Sequence, residues 1–240
     1  MKRSVCIAID GPAGAGKSTV AKMLASKLGY VYVDTGAMYR ALTFKAMLTG
    51  IALDDAPSII SMAKKTQISL VQNKEEYHVI LDGNDVSEEI RSESVSKNSH
   101  FIASILQVRQ ILWEMQREFR KRHNLVMEGR DIGSVVFPDA QLKIFLDASV
   151  EERARRRYLQ LKEKQMAQDI EEIKRDIVER DRRDSSRTVA PLVRPPDAIY
   201  VDSTGMKIED EVSLIVSLYL KRAQRMKSDN ERCQIESCDS

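Results

Sequence analysis

The stretch that most constrains this chain lies close to its N-terminus, where residues 11–19 read G-P-A-G-A-G-K-S-T. This spacing fits G-x-x-x-x-G-K-[ST], a loop whose backbone N–H groups surround phosphate oxygens. An apolar run at residues 5–9 precedes it, as expected of a buried parallel strand. Apolar residues at helical spacing follow it, so a helix is predicted from about Lys17. Strand, loop and helix thus stand in the order that a phosphate-binding loop (P-loop) requires.

Each part of the P-loop has a defined task toward a nucleoside triphosphate. The glycines permit a tight turn, and the start of the following helix adds partial positive charge. Lys17 supplies a point charge for the β- and γ-phosphates, and Ser18 supplies a hydroxyl for Mg²⁺. The predicted nucleotide-binding residues of the loop are Gly11, Pro12, Ala13, Gly14, Ala15, Gly16, Lys17, Ser18 and Thr19.

Composition limits the classes of protein to which the chain can belong. Its 240 residues, 42% of them hydrophobic, allow one α/β domain with insertions. A net charge of +2 is too small to indicate a nucleic-acid-binding protein. The three cysteines lack metal-ligand spacing, no apolar run approaches membrane-spanning length, and no signal peptide precedes the first strand. We therefore expect a reduced, monomeric, cytoplasmic protein without a membrane or nucleic-acid partner.

Further apolar runs predict a parallel sheet with helices between its strands. The predicted strands occupy residues 5–9, 30–33, 124–127, 142–146 and 198–201. Right-handed crossovers bring the carboxyl ends of such strands to one edge, where open α/β sheets bind their ligands. A long helix is predicted over residues 101–122, with Trp113 packing in the core, and a final helix from 208 to about 220.

Two segments depart from this core pattern. Short alternating runs at residues 68–71 and 77–81, followed by the turn signal D-G-N-D at 82–85, predict a small antiparallel sheet inserted after the second strand. Two charged helices joined by a polar turn at 163–168, with little apolar face to bury, predict a lid. The predicted organisation is core at 1–34, acceptor-binding region at 35–100, core at 101–150, lid hairpin at 151–180, core at 181–224 and disordered polar tail at 225–240.

The reaction has to be inferred from the strand ends beyond the P-loop. The single Asn-Lys pair, Asn73-Lys74, lies in the insertion, which excludes a GTPase, and no strand ends in the adjacent carboxylates of a motor or helicase ATPase. Arginines recur instead, at Arg40, Arg130, residues 153–157, Arg180 and Arg187. Two phosphates brought together require several guanidinium groups, so we predict phosphoryl transfer to an anionic acceptor. An RNA-binding module built on the arginine-rich hairpin is the alternative, disfavoured by the small net charge and the lack of interleaved aromatic residues.

Three motifs resemble those of the bacterial cytidylate kinase family of nucleoside monophosphate (NMP) kinases. They are D-T-G-A-M-Y-R at 34–40, G-R-D-I-G-S-V-V-F-P-D-A at 129–140 and the arginine-rich segment at 180–192. The resemblance implies a P-loop NTPase of α/β class, with an adenylate-kinase-like five-stranded parallel sheet, an inserted NMP-binding subdomain and a helical lid. It also implies Mg²⁺- and ATP-dependent phosphorylation of CMP or dCMP to the diphosphate. A P-loop kinase for another small acceptor, such as UMP, is the alternative.

The resemblance carries roles to individual residues. It implies that Lys17, Arg130 and Arg187 stabilise the transferring phosphoryl group, with Ser18 as the protein ligand of Mg²⁺. The lid residues implied to close on the ATP phosphates are Arg153, Arg156 and Arg157. The implied CMP-binding residues are Thr35, Arg40, Arg109, Arg130, Asp131, Arg180, Asp184 and Arg187.

Within that acceptor set the tasks differ. The resemblance implies that Arg40, Arg130 and Arg187 hold the acceptor phosphate, and that Arg180 and Asp184 contact the sugar. Arg109 and Asp131 would face the cytosine edge, where a carboxylate suits the exocyclic amine of the base. His100 stands where many family members carry a serine that assists in reading the base.

Overall fold

The computed structural model describes residues 4–73, 76–163, 166 and 168–236 of the chain. The strands of this part are β1 (Cys6–Asp10), β2 (Val31–Asp34), β3 (Ile68–Asn73), β4 (Glu76–Leu81), β5 (Asn84–Asp85), β6 (Leu125–Gly129), β7 (Leu142–Asp147) and β8 (Ile199–Asp202). The helices are α1 (Lys17–Leu28), α2 (Thr35–Leu48), α3 (Ala56–Lys64), α4 (Glu93–Ser104), α5 (Leu106–Arg122), α6 (Val150–Glu163), α7 (Ile170–Ser186) and α8 (Ile208–Glu236). A 3₁₀ turn at Glu89–Arg91 and a π turn at Ile132–Val136 complete this description.

Five strands form the predicted parallel sheet, in the order β2-β6-β1-β7-β8. Its central strand β1 is buried along its whole length, which explains the uninterrupted apolar run in the sequence. Alternate residues of β1 face different layers, with Ile7 and Ile9 packing against α1 and α8 while Cys6 and Ala8 pack against the opposite layer. Each fully buried isoleucine contributes roughly 1.5–3 kcal/mol through the apolar surface it removes from water.

The register of the sheet aligns the carboxyl ends of its strands. Asp34 of β2 pairs with Glu128 of β6, and Asp10 of β1 pairs with Gly129 of the same strand. On the other side Asp147 of β7 pairs with Asp202 of β8. Polar side chains from separate parts of the chain therefore meet at one edge, as the parallel topology predicts.

The inserted sheet is also present, as three antiparallel strands in the order β3-β4-β5. Its third strand begins at Asn84 and not, as predicted, at Val86. Asp82 and Gly83 both have positive φ (49° and 88°), so these two residues complete a tight hairpin turn and Asn84 pairs directly with Leu81. Residues 74 and 75 of the turn expected between the first two strands lie outside the described residues.

The helix predicted over residues 101–122 is in fact two helices, because Ile105 adopts extended backbone angles (φ −83°, ψ 112°) between α4 and α5. Arg109 Nη1 donates a 2.9 Å hydrogen bond to the Ala103 carbonyl, which satisfies an acceptor at the end of α4. The break lets Ile102 and Leu112 share one buried cluster. It also places Arg109 in the first turn of α5, near the strand ends.

The helical hairpin formed by α6 and α7 has an apolar seam that the sequence analysis underestimated. Ala154 and Leu161 of α6 pack against Ile173 and Ile177 of α7, and all four side chains are buried. These residues recur at helical spacing, but surrounding charges obscure the pattern. Residues 164, 165 and 167 of the predicted polar turn lie outside the described residues.

The final helix is longer than predicted. It runs from Ile208 to Glu236, so the disorder predicted for the tail from residue 225 is wrong as far as residue 236. The segment is polar, yet seven of its residues from 225 to 236 are Arg, Lys, Glu, Gln or Met, which are good helix formers. Residues 237–240 lie outside the description. In the described ranges, no helix has both the length and the apolar character that crossing a bilayer requires.

Candidate functional site

The P-loop connects β1 to α1 and turns against β7. A Cβ atom on Gly11 would lie 1.9 Å from the Leu146 carbonyl oxygen, so only glycine fits there. Gly16, which precedes α1, has a left-handed backbone (φ 90°) that also favours glycine. Lys17 is buried and its Nζ donates a 2.6 Å hydrogen bond to the Pro12 carbonyl. The ammonium group therefore lies folded back over the loop.

Burial has an electrostatic consequence for Lys17. Desolvation and, second, the positive charge of Arg130 lower the pKa of its ammonium to about 7. Glu128 and Asp184 act in the opposite direction. Charges of the loop, of β6 and of α7 therefore interact within one site.

Two arginines of α6 bind the P-loop backbone. Arg153 is buried and donates to the Ala13 carbonyl (Nη1, 2.9 Å) and to Asp181 (2.5 Å). Asp181 in turn accepts a 3.3 Å hydrogen bond from the Ala13 N–H. Arg156 donates to the Ala15 carbonyl at 3.3 Å. The hairpin thus supports the loop directly.

Arg156 also links the P-loop to the loop after β8. Its Nη2 donates to the Ser203 carbonyl at 2.7 Å, and its Nε donates to Glu152 at 2.9 Å. Glu211 of α8 lies 3.5 Å from the same guanidinium, and desolvation raises the pKa of this carboxyl to about 7. Arg157 is exposed and donates no hydrogen bond to a described residue.

Asp10 connects the end of β1 to the segment that follows β6. At the end of β1, its carboxylate accepts hydrogen bonds from the Ile132 N–H (2.9 Å) and the Gly133 N–H (2.7 Å) of the π turn. Complete burial raises the pKa of Asp10 to about 6. This contact fixes the segment that directly follows Arg130 and Asp131.

At the end of β2, the Asp34 carboxylate accepts from the Ala37 N–H at 3.0 Å and so caps α2. Arg40, one turn into that helix, donates to Asp34 at 2.8 Å. The Thr35 hydroxyl donates to the Glu128 carbonyl at 2.7 Å. Arg40 and Thr35 are therefore held at the edge where β2 and β6 end.

Helix α7 brings further arginines to the same edge. Arg130 donates to Asp184 at 2.8 Å, and Arg187 lies 4.0 Å from the other oxygen of that carboxylate. Arg187 Nε and Nη2 are buried and have no hydrogen-bond partner among the described residues. Burial, then the charge of Arg109, lowers the pKa of Arg187. Arg180 is exposed at the rim, yet desolvation by its surroundings and the charge of Arg130 lower its pKa to about 10.

Arg109 and Asp131 form a buried ion pair with a separation of 2.6 Å. The Trp113 indole N–H donates to the same carboxylate oxygen, Oδ2, at 2.9 Å. The Arg109 guanidinium also lies over the Tyr39 and Trp113 rings, 5.1 and 5.6 Å from their centroids. Trp113 was predicted only to pack, so its hydrogen bond to a site residue is a correction.

Sequence reasoning missed Glu128, the last-but-one residue of β6. Its carboxylate is buried and accepts a 2.7 Å hydrogen bond from the Tyr32 hydroxyl, and Ser18 is near enough to influence its pKa. Desolvation, and then the charge of Asp34, raises its pKa. The available signal was an acidic residue at the end of the apolar run L-V-M. His100 lies apart from this network: its Nδ1 is 2.7 Å from the Lys97 carbonyl of its own helix.

Comparisons with known proteins give one consistent result. A family model described as "Cytidylate kinase" matches residues 7–221. The chain is 50% identical over 214 residues to a cytidylate kinase of Alkaliphilus oremlandii, covering 89% of this chain and 97% of that protein. It is 48% identical over 233 residues to a cytidylate kinase of Desulfitobacterium hafniense, covering 96% and 100%. A solved structure of an uncharacterised protein from Eubacterium ventriosum shares the fold, with a TM-score of 0.53, 12% identity, and coverage of 91% of this chain and 99% of that one.

Proposed function

The chain belongs to the cytidylate kinase family, and from that membership we propose how its residues carry the ATP-dependent phosphorylation of CMP and dCMP. The observation that supports an anionic acceptor most directly is Arg187. Two of its nitrogen atoms are buried without a hydrogen-bond partner in the described part of the chain, beside Arg130. Unpaired buried donors are costly, and a phosphate would satisfy them with charge-assisted hydrogen bonds.

On the donor side, the ATP triphosphate would occupy the P-loop. The residues proposed to surround it are Gly11, Pro12, Ala13, Gly14, Ala15, Gly16, Lys17, Ser18 and Thr19. Lys17 would exchange its bond to the Pro12 carbonyl for the β- and γ-phosphates. A phosphoryl group transferred in line needs charge stabilisation and positioning, and no protein nucleophile.

The donor atoms present fit Mg²⁺. Ser18 offers a hydroxyl, and the Glu128 carboxylate lies near it. Both are oxygen donors, which Mg²⁺ prefers. Among the described residues no group of three His, Cys, Asp or Glu side chains could hold a metal by itself. Ser18 would therefore hold the ion together with ATP and water, and bound Mg²⁺ would neutralise charge on the β- and γ-oxygens.

On the acceptor side, Arg40, Arg130 and Arg187 would bind the CMP phosphate. Arg40 and Arg130 are now paired with Asp34 and Asp184, so each is already oriented by a carboxylate. Arg130 and Arg187 would also stabilise charge on the transferring group, next to Lys17. Holding the two phosphates in contact is the principal task of this cluster.

The base and the sugar of CMP would bind at the same edge of the parallel sheet. Asp131 uses Oδ2 for Arg109 and Trp113, and its Oδ1 accepts no hydrogen bond from a described residue. Oδ1 could therefore accept from the exocyclic amine of cytosine, a group that uracil lacks. Arg180 and Asp184 would contact the sugar, and Thr35 would add its hydroxyl at the end of β2.

The lid would complete the site by excluding water. Arg157 is exposed and donates to no described residue, so it is the first candidate to reach the ATP phosphates. Arg153 and Arg156 already donate hydrogen bonds to the Ala13 and Ala15 carbonyls. In these positions their positive charges would lie next to the ATP triphosphate. A cytoplasmic location, a monomeric state and the absence of nucleic-acid partners stay predictions.

An ADP-release assay with MgATP and each of CMP, dCMP, UMP, AMP and GMP tests this function. We expect the highest kcat/KM for CMP and dCMP, and lower values for UMP because Asp131 would face the O4 acceptor of uracil. Higher turnover of UMP than of CMP would favour the alternative pyrimidine acceptor. ADP release that no nucleotide stimulates would exclude a nucleoside monophosphate kinase.

A further inference from the structure

The inserted sheet contacts the core through two tyrosines and a lysine. Tyr77 of β4 meets Tyr32 of β2 edge to face, with ring centroids 4.7 Å apart and an interplanar angle of 80°. The Lys22 ammonium of α1 lies over both rings, 5.6 and 5.2 Å from their centroids. Such aromatic and cation–π contacts have defined geometry as well as energy. The Tyr32 ring is therefore held from the inserted sheet and from the P-loop helix.

The same Tyr32 reaches the candidate site through its hydroxyl. This group donates a 2.7 Å hydrogen bond to Glu128 Oε1, and both residues are 4% exposed. Glu128 pairs in register with Asp34, so two carboxylates end neighbouring strands. Their mutual repulsion would turn Glu128 away unless a donor held it. Tyr32 supplies such a donor, and Ser18 lines the same cavity as Tyr32.

We propose that Tyr32 is a positioning residue, which holds the Glu128 carboxylate beside Ser18 where the Mg²⁺ of the ATP complex must lie, and which is itself held by Tyr77 of the inserted sheet. This inference rests on the proposed function because it concerns the metal bound with ATP. Magnesium keeps several waters in such sites, and a carboxylate fixed next to its protein ligand would accept hydrogen bonds from them. The insertion would thereby support the donor site as well as the acceptor region.

Groups that orient a metal site from outside its direct ligands are typically worth 10- to 100-fold in metal affinity. Tyr32→Phe keeps the ring and its contact with Tyr77, and removes only the hydroxyl. We expect the Mg²⁺ concentration at half-saturation to rise about tenfold or more. The KM for CMP should change much less, because no hydrogen bond joins Tyr32 to an acceptor arginine in the described part of the chain.

A direct readout is calorimetric titration of the full-length protein with ATP, at several Mg²⁺ concentrations and without Mg²⁺. Tyr32→Phe should weaken Mg²⁺-dependent ATP binding and leave Mg²⁺-free ATP binding close to that of the wild type. Tyr30→Phe is the matched control. The Tyr30 hydroxyl bonds to the Tyr219 hydroxyl at 2.6 Å, so the same atom is lost without a carboxylate partner.

Two further variants locate the effect. Tyr32→Phe should add nothing in a Glu128→Gln background, because both changes act through one carboxylate. Tyr77→Leu should weaken Mg²⁺-dependent ATP binding less than Tyr32→Phe does. It removes the aromatic contact that holds the Tyr32 ring but keeps the Tyr32 hydroxyl. Equal Mg²⁺ dependence in Tyr32→Phe and Tyr30→Phe would overturn the proposal. So would a full additional effect of Tyr32→Phe when Glu128 is already glutamine.

The acceptor plays no part in these titrations, so they separate this inference from the proposed function. If the acceptor assay favoured UMP and Tyr32→Phe still lost Mg²⁺-dependent ATP binding, the inference would stand and the acceptor assignment would fail. ATP binding by the wild type that did not depend on Mg²⁺ would overturn both the metal assignment and the role of Tyr32.

Discussion

The arginines on the two sides of this site differ in how their hydrogen bonds are satisfied. On the P-loop side, Arg153 and Arg156 donate to backbone carbonyls and to carboxylates. On the acceptor side, Arg187 buries two nitrogen atoms and Arg109 one without a partner in the described chain. The first pair therefore contributes to the folded structure of the loop, whereas the second pair retains binding capacity for a ligand.

The difference has energetic consequences. A buried donor without a partner costs about 1–3 kcal/mol, and neighbouring positive charges add repulsion. The lowered pKa values of Arg187 and Arg180 have this origin, because desolvation and nearby arginines both disfavour their charged forms. Binding an anion would relieve these costs. We therefore expect the proposed acceptor side to have gained affinity for an anion at a cost in stability, as functional sites often do.

The largest effect on kcat/KM is expected at Lys17, whose charge lies between the P-loop side and the acceptor side of the site. Lys17→Ala should lower kcat/KM by about 100- to 1,000-fold, because one group that stabilises developing charge is lost. The fold should persist, since burial already disfavours the charged lysine. Steady-state kinetics and circular dichroism check both points. A folded Lys17→Ala enzyme with near wild-type kcat/KM would refute the mechanism.

The second prediction compares one arginine from each side of the site, Arg187 and Arg153. Arg187→Ala should raise the KM for CMP by about 100-fold, the loss of a charge-assisted contact, and leave the melting temperature unchanged or higher. Arg153→Ala should lower the melting temperature, because it removes the guanidinium donor of the Ala13 carbonyl and of Asp181 Oδ2. Calorimetry gives the melting temperature of both variants, and steady-state kinetics gives their KM for CMP. If Arg187→Ala lost as much stability as Arg153→Ala, the comparison between the halves would be wrong.

The fold was largely predictable, because the features that determine it are local. Uninterrupted apolar runs located the five parallel strands, and the P-loop spacing located the strand–loop–helix unit. The break at Ile105 was not predictable, since no glycine or proline marks it and a side-chain hydrogen bond from Arg109 to the Ala103 carbonyl stabilises it. The seam between α6 and α7 was hidden because its four apolar residues are spread among charged ones.

For the site, the sequence predicted which residues belong to it but not the contacts that they make. The arginines and Asp131 could be named from the sequence, and their roles stay proposals. The sequence could not indicate that Arg153 and Arg156 bind backbone carbonyls, because such bonds depend on how the hairpin docks on the P-loop. Glu128 was missed for a similar reason. Its significance comes from Tyr32, which is distant in sequence and adjacent in the sheet.

A third prediction concerns base recognition on the acceptor side. Asp131→Asn keeps an acceptor for the buried Arg109 and replaces the free carboxylate oxygen by a donor or a weaker acceptor. We expect kcat/KM for CMP to fall about tenfold or more, which is the range of one good base contact. The kcat/KM for UMP should fall less. The affinity for ATP should hardly change. An unaltered ratio of CMP to UMP activity would show that Asp131 does not read the base.

The smallest effect is expected on the P-loop side, at Glu211. Its side chain is 1% exposed, and desolvation raises its pKa from 4.5 to about 7 although Arg156 lies nearby. A carboxyl whose pKa is higher in the folded state contributes stability that is fully present below about pH 4.5. That contribution is lost as the pH rises through about 7, because the folded protein must then ionise a buried group.

Glu211→Gln removes this titration. We expect similar melting temperatures for wild type and variant at pH 5, and a gain for the variant at pH 8 worth about 1–3 kcal/mol. For a chain of this length that corresponds to several degrees. Glu209→Gln, an exposed carboxyl two residues earlier in α8, is the control and should show no such gain. If Glu211→Gln is destabilising at pH 8, the Arg156 pair outweighs the cost of burial, and Glu211 belongs with Arg153 among the contacts that support the loop.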